Sequence, residues 1–130
     1  MSNHSFPYSE EVLQWIWNEG FIDLSALQTT CGKTIQVINP GTLNTSDGPD
    51  FLFATILVDG IKWCGSIEMH LSSSGWYQHK HHNDSNYNNV ILHVVVQNNP
   101  KSVKTKSGSQ PFTVNLLPAL SPEVQTFIKN

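Results

Sequence analysis

The run Val90-Ile91-Leu92-His93-Val94-Val95-Val96 constrains this chain more than any other stretch. It is apolar at every position except His93 and rich in β-branched residues, the pattern of a strand buried on both faces. A strand of that kind needs chain packed on each side of its sheet, so the domain is expected to be layered with the sheet in the middle. Asn98-Asn99-Pro100 closes the run.

The other elements follow from local signals. Asp59-Gly60 is a strong two-residue hairpin turn. Asp50 to Val58 is its outgoing strand and Ile61 to Leu71 its return, broken by Ser72-Ser73-Ser74-Gly75. Thr34 to Ile38 alternates and predicts a strand, ended by Asn39-Pro40-Gly41, and Thr42 to Gly48 reads as a polar loop. Ser9 is placed to cap a helix whose first turn holds Glu10 and Glu11, whose apolar face holds Leu13, Ile16 and Trp17, and whose end is Gly20. Asp23 is placed to cap a short helical turn over Leu24 to Gln28. Trp76 to Asn89 is polar, anchored by Trp76, Tyr77 and Tyr87, with room for a short helix. Phe112 to Leu117 predicts the last strand, and Ser121-Pro122-Glu123 a capped helix with Val124, Phe127 and Ile128 on its face. The expected fold is therefore α/β, a mixed central sheet with flanking helices, in one domain over residues 1–130.

Composition narrows the partners. No run approaches the roughly 18 to 20 apolar residues of a membrane span, and Met1-Ser2-Asn3-His4-Ser5 lacks the basic and apolar regions of a signal peptide. The expectation is a cytoplasmic protein without a membrane partner. Cys31 and Cys64 form no CxxC pair and read as reduced thiols. A net charge of −3 argues against tight nonspecific DNA binding but leaves room for a local basic edge. Lys101, Lys104 and Lys106 lie in a Ser/Gly-rich loop and read as a solvated tip. The glycines form no phosphate loop and the serines no nucleophile elbow.

Two constellations carry chemistry. Glu68 and His70 are two apart on a strand, so they share a face, while Ile67 and Met69 point to the other. A carboxylate beside an imidazole on a rigid strand suits a divalent cation or an activated water, and Asp50 on the neighbouring strand is the natural third group. The hairpin opposes this: if Val58 pairs with Ile61, Asp50 falls opposite Met69, on the wrong face. Convergence requires a bulge, with Gly65 the obvious place, a longer loop, or a kink at Pro49. The second constellation is His79, His81, His82 and Asp84, a composition that suits Zn²⁺ without matching a standard zinc spacing. His93, inside the apolar strand, is either a satisfied core residue or a member of the site. The bland alternative for both constellations is a solvated polar face.

The order of these residues resembles a known family. Gly48-Pro49-Asp50-Phe51, then Gly65-x-Ile67-Glu68-x-His70, Trp76-x-x-His79-x-His81 and Asp84-x-x-Tyr87-x-x-Val90-x-Leu92-His93 resemble the uncharacterised bacterial family called domain of unknown function 2851. Members are typically longer, so the resemblance implies the N-terminal portion of a longer architecture, with the remainder of that chain as a partner in relatives. More distantly, Pro49-Asp50 and Glu68-x-His70 are similar to the signature of the PD-(D/E)xK nuclease-like superfamily. That similarity implies a restriction-endonuclease-like core of helix, three strands, helix and strand, and a divalent-metal-dependent phosphodiesterase acting on nucleic acid. It assigns Mg²⁺ or Mn²⁺ to Asp50 and Glu68, a water-orienting role to His70 where the superfamily has Lys, and a compensating charge to Lys80 or His79. The alternatives are a non-catalytic binding or oligomerisation module, including a homo-oligomer, and a Zn²⁺ domain using His70, His79, His81 or Asp84.

Overall fold

The computed structural model describes residues 8–23, 27–97 and 99–120. Its centre is a mixed six-stranded sheet, and helix is sparse among the described residues, so the fold is mostly β. The strands are β1 (Ile35–Asn39), β2 (Thr42–Leu43), β3 (Phe51–Val58), β4 (Ile61–His70), β5 (Val90–Val95) and β6 (Phe112–Asn115). Their order is β1-β3-β4-β5-β6, with β2 pairing β3 beyond β1. β1, β3 and β4 run antiparallel, and β4, β5 and β6 run parallel, so the sheet changes direction at β4. The expected apolar strand is β5, paired on both sides. The polar stretch after Gly41 contains the short strand β2, where the sequence predicts only loop.

Helix α1 (Glu10–Glu19) forms where its caps predict. Ser9 Oγ accepts from Val12 N–H at 3.4 Å, and Gly20, at φ +78°, turns the chain out in the left-handed conformation that glycine adopts freely. Leu13, Ile16 and Trp17 are buried against Phe51, Ile56, Ile67, Met69, Leu92 and Val94 in the main core. Trp17 also donates its indole N–H to Pro40 O at 3.0 Å. Full burial of side chains of this size contributes about 1.5–3 kcal/mol each. Beyond α1, residues 24–26 of the expected capped turn and the whole of the expected C-terminal helix at 121–130 lie outside the described residues.

The opposite face of the sheet is covered by the crossover from β4 to β5. It holds a single turn of helix, α2 (Gly75–Gln78), and two 3₁₀ turns at His81–Asn83 and Ser85–Tyr87. Trp76, Tyr87, Val90 and Val103 form a second, smaller core beneath it. Among the described residues no helix is long and apolar enough to cross a membrane.

The hairpin register resolves the conflict over Asp50. Asp59 and Gly60, at φ +49° and +81°, make the expected tight turn, and Val58 pairs with Ile61. That register holds as far as Ala54↔Gly65, then shifts so that Phe51 pairs with Ile67. Leu52 and Phe53 together oppose Ser66, a bulge in β3. The expected position for it was Gly65, and the structure corrects this. Gly65 is glycine for another reason: a Cβ there would stand 2.7 Å from Ile91 Cγ2 and against Asn89 O, where β5 approaches β4 closely. The bulge residue is Phe53, at φ +62°. Through it Phe51 joins Ala54, Ile56 and Val58 in the main core, and Asp50 is delivered to the Glu68 side of the sheet.

Candidate metal centre

Glu68 stands at the middle of the covered face, 4 % exposed. Its Oε1 accepts the backbone N–H of Asp50 at 3.1 Å, and its Oε2 faces His81 Nε2 at 2.9 Å and His70 Nε2 at 3.4 Å. Asp50 is held from two sides: Gln14 of α1 donates to Oδ1 at 2.9 Å and Met69 N–H donates to Oδ2 at 2.8 Å. The Asp50 and Glu68 side chains also share a hydrogen bond. The bulge thus brings together the two carboxyls that a plain hairpin would separate.

The histidines complete the cluster from two elements. Strand β4 supplies His70, and the crossover supplies His79 and His81. Ligand atoms of these three rings lie within 4.8 Å of one another. His81 is fixed by stacking on Tyr87, with ring centroids 3.7 Å apart and planes 18° from parallel, and by an edge contact with Trp76. His70 Nδ1 bonds His93 Nε2 at 2.7 Å. His93 is fully buried on β5, paired with Glu68 on one side and Thr113 on the other. Of the two readings that the sequence leaves open for His93, the structure shows a buried core residue whose hydrogen-bond partner, His70, belongs to the cluster. Its position beside Glu68 follows from the parallel register of β4 and β5, which no local signal encodes.

The remaining sequence candidates fall outside this contact set. Asp84 accepts Asn86 N–H at 2.9 Å and caps a 3₁₀ turn, so it is not among the clustered donors. His82 packs against Tyr77. Lys80, at φ +61°, is exposed on the cover, and its ammonium makes no hydrogen bond or ion pair among the described residues. Gln14, which sequence reasoning passed over, clamps Asp50.

Burial sets the charge of the cluster. It pushes Glu68 up to about 8 against the stabilising hydrogen bonds from Asp50. It pushes Asp50 up to about 7, helped by the neighbouring Glu68 charge and opposed by the Met69 N–H. It pulls His70 down to about 2, with His93, His81 and His79 adding repulsion, and His93 down to about 4. Burial also lowers His81, against the pull of Asp50, Asp84 and Glu10. The 2.9 Å contact between His81 and Glu68 is therefore a hydrogen bond rather than an ion pair. Near neutral pH the His70, His81 and His93 imidazoles are neutral, and a neutral imidazole presents the lone pair with which histidine ligates a metal.

A metal fits these residues on one further observation. Among the described residues His70 Nε2 and His81 Nδ1 are buried without a hydrogen-bond partner, as are Nδ1 of His82 and of His93, a costly state for a polar atom. His70 Nε2 faces a carboxylate oxygen that a cation would also reach. In the tautomer in which His70 Nδ1–H donates to His93, Nε2 is the acceptor, the arrangement of a ligating histidine supported from behind. The donor set is imidazole-rich. Glu68 Oε2 is the carboxylate oxygen that faces both His70 and His81, while the Asp50 oxygens are held by Gln14 and Met69.

Comparison with known proteins gives one match. The family model described as "Protein of unknown function (DUF2851)" matches residues 10–130. Against curated proteins and against solved structures the chain gives no match. The chain belongs to the DUF2851 family.

Proposed function

We propose that this member of the DUF2851 family binds a transition-metal ion, Zn²⁺ in the first place, on His70, His79, His81 and Glu68, and uses it to hydrolyse a phosphodiester. The observation that carries the reading is the convergence of three imidazole donors within 4.8 Å of one another, two of which, on His70 and His81, face Glu68 Oε2. Imidazole-rich sites select Zn²⁺ and its neighbours over Mg²⁺, which requires oxygen donors that this site does not offer freely. When bound, such an ion lowers the pKa of a coordinated water and neutralises charge on a phosphoryl oxygen. Asp50 holds Glu68 in place through its backbone N–H and shares a proton with it. His93 holds the tautomer of His70. Lys80, exposed on the cover beside His79, is the cation available to a phosphate that approaches from solvent.

The element order α1, β1, β3, β4, α2, β5, and the meeting of Asp50 with Glu68, support the further reading of a PD-(D/E)xK-like core with nucleic acid as substrate. Glu10 lies within electrostatic reach of both carboxyls, from the helix that this core would place there. A second reading, a non-catalytic domain with a structural zinc, is favoured by the burial of Glu68, His70 and His81.

The test is elemental analysis of protein dialysed against Zn²⁺ or Mn²⁺, followed by hydrolysis of a chromogenic phosphodiester by wild type and Glu68→Gln. Stoichiometric metal and hydrolysis abolished by Glu68→Gln are expected. Absence of stoichiometric metal overturns the proposal. Metal without hydrolysis moves the assignment to the structural reading.

A further inference from the structure

Beside the metal centre lies a groove of about 650 Å³, within the range of small-ligand sites. It follows the site face of the β3–β4 hairpin. Thr55, Cys64 and Ser66 form its floor, Pro49 and Phe53 one side, and Asn86 and Asn89 the other. Ser66 and Glu68 are two apart on β4, so the groove runs along one strand face toward the metal cluster.

Phe53 is the anomaly. It is 80 % exposed and holds φ +62°. A left-handed bulge position is filled most easily by Gly or Asn, and an aromatic ring there gains almost nothing from burial in the folded chain. Neither stability nor the geometry of the bulge accounts for a phenylalanine. The rest of the lining is mixed, with Pro49, Leu52 and Ala54 beside the hydroxyls of Thr55 and Ser66, the Cys64 thiol and the two exposed carboxamides of Asn86 and Asn89. On its far side the turn carrying Asn86 and Asn89 is tied to the Lys101–Lys106 loop, with Ser107 N–H donating to Asn88 Oδ1 at 3.1 Å. The same loop is bonded to the metal-site cover: Trp76 Nε1 donates to Lys104 O at 2.9 Å and Lys101 N–H to Ser73 Oγ at 3.1 Å. Three of the chain's seven basic residues thereby lie on a loop whose backbone is bonded to the turn bordering the groove and to the cover.

From this arrangement we infer that the groove takes an unpaired base of a single-stranded nucleic acid, stacked on Phe53, with Asn86 and Asn89 at the base edge and the lysine loop along the phosphates. An exposed ring face, amide groups that pair with base edges and a basic margin are the parts such recognition uses. In a duplex both faces of each base are already stacked, so an isolated ring selects single strands. The inference rests on the phosphodiesterase reading and names its substrate.

The test is fluorescence anisotropy with a labelled oligothymidylate of about 12 nucleotides, within the site sizes of single-strand binders, in the presence of a chelator. Phe53→Gly suits the left-handed position and is expected to fold; Phe53→Tyr restores a ring. Binding about 10- to 100-fold weaker for Phe53→Gly, near wild type for Phe53→Tyr and weaker for a duplex of the same length is expected. The inference is overturned by no binding to wild type, by equal binding of Phe53→Gly, by equal binding of the duplex, or by a dimer that Phe53→Gly dissociates. Metal content, measured on the same preparation, separates the two ideas. Metal without oligonucleotide binding removes only the groove assignment, and oligonucleotide binding without metal removes only the metal centre.

Discussion

Gly75 is the residue through which the placement of the metal ligands can be tested most directly. It opens α2 and lies against the His70 ring: a Cβ built on it would stand 2.7 Å from Cδ2 and 2.8 Å from Cγ. Ordinary contact begins near 3.4 Å, so Gly75→Ala leaves the two groups about 0.7 Å too close. The backbone itself favours the exchange. Gly75 is not among the residues with positive φ, and alanine in place of glycine in a helix gains roughly 0.5–1 kcal/mol. His70 has little room to yield, being 1 % exposed, tied to His93 at 2.7 Å and ringed by His79 and His81. Overpacking of this kind costs about 1–3 kcal/mol, so the net expectation is a loss of roughly 1 kcal/mol. The displaced ring should also weaken metal binding by about 10- to 100-fold, the scale on which disturbed ligand support acts. Urea unfolding in chelator reads the first effect, and competition with a chromophoric chelator reads the second. A Gly75→Ala protein that is more stable than wild type and binds Zn²⁺ equally well would falsify the packing of His70 under α2.

The remaining predictions address charge and ligand support. Folding raises Asp50 to about 7 and Glu68 to about 8, so the folded pair keeps protons that the unfolded chain has released. The stability this confers is full at low pH and is lost as pH rises through those values. Folding lowers His70 and His93, whose contribution is lost in the opposite direction, as pH falls below about 6.5. His81 is lowered as well. Above about pH 7.5 the unfolded histidines are neutral and the carboxyls dominate, so between about pH 7.5 and 8.5 the metal-free protein should lose roughly 1 kcal/mol; a urea midpoint that is flat or rises over that interval contradicts the buried carboxyl pair. His79 is exposed, so His79→Ala should leave the metal-free unfolding midpoint within about 0.5 kcal/mol of wild type while weakening Zn²⁺ binding by calorimetry; unchanged affinity would strike His79 from the ligand set. His93→Phe should weaken Zn²⁺ about 10- to 100-fold by freeing the His70 tautomer, and a retained affinity would show that His93 only packs.

Much of this arrangement is legible in the residues themselves. The period of two places Glu68 and His70 on one face, and Asp59-Gly60 sets a register strict enough to require a bulge before Asp50 can join them. Local signals do not disclose where that bulge lies. The chain takes the left-handed conformation at a phenylalanine, while the nearby glycine answers to the close approach of β5. The cover from Ser72 to Asn89 has no hydrophobic period, and its path is set by tertiary anchors, Trp76 on Lys104 and Tyr87 on His81. His93 looks like a polar interruption in a core strand until the parallel pairing of β4 and β5 sets it beside Glu68. Non-local pairing of this kind is what a linear reading cannot supply.

The change of strand direction at β4 bears on the order in which the site is assembled. The proposed donors Glu68, His70, His79 and His81 fall in one short stretch of chain, whereas the sheet that carries them is drawn from Ile35 to Asn115. Closing a short loop costs less entropy than closing a long one, and distant strand pairings form slowly. Once β4 exists and the crossover folds back on it, the donors are already neighbours, while β6 has still to arrive from far along the chain. Loading of the proposed site would thus be a local event of folding, available to a chain whose sheet is still incomplete.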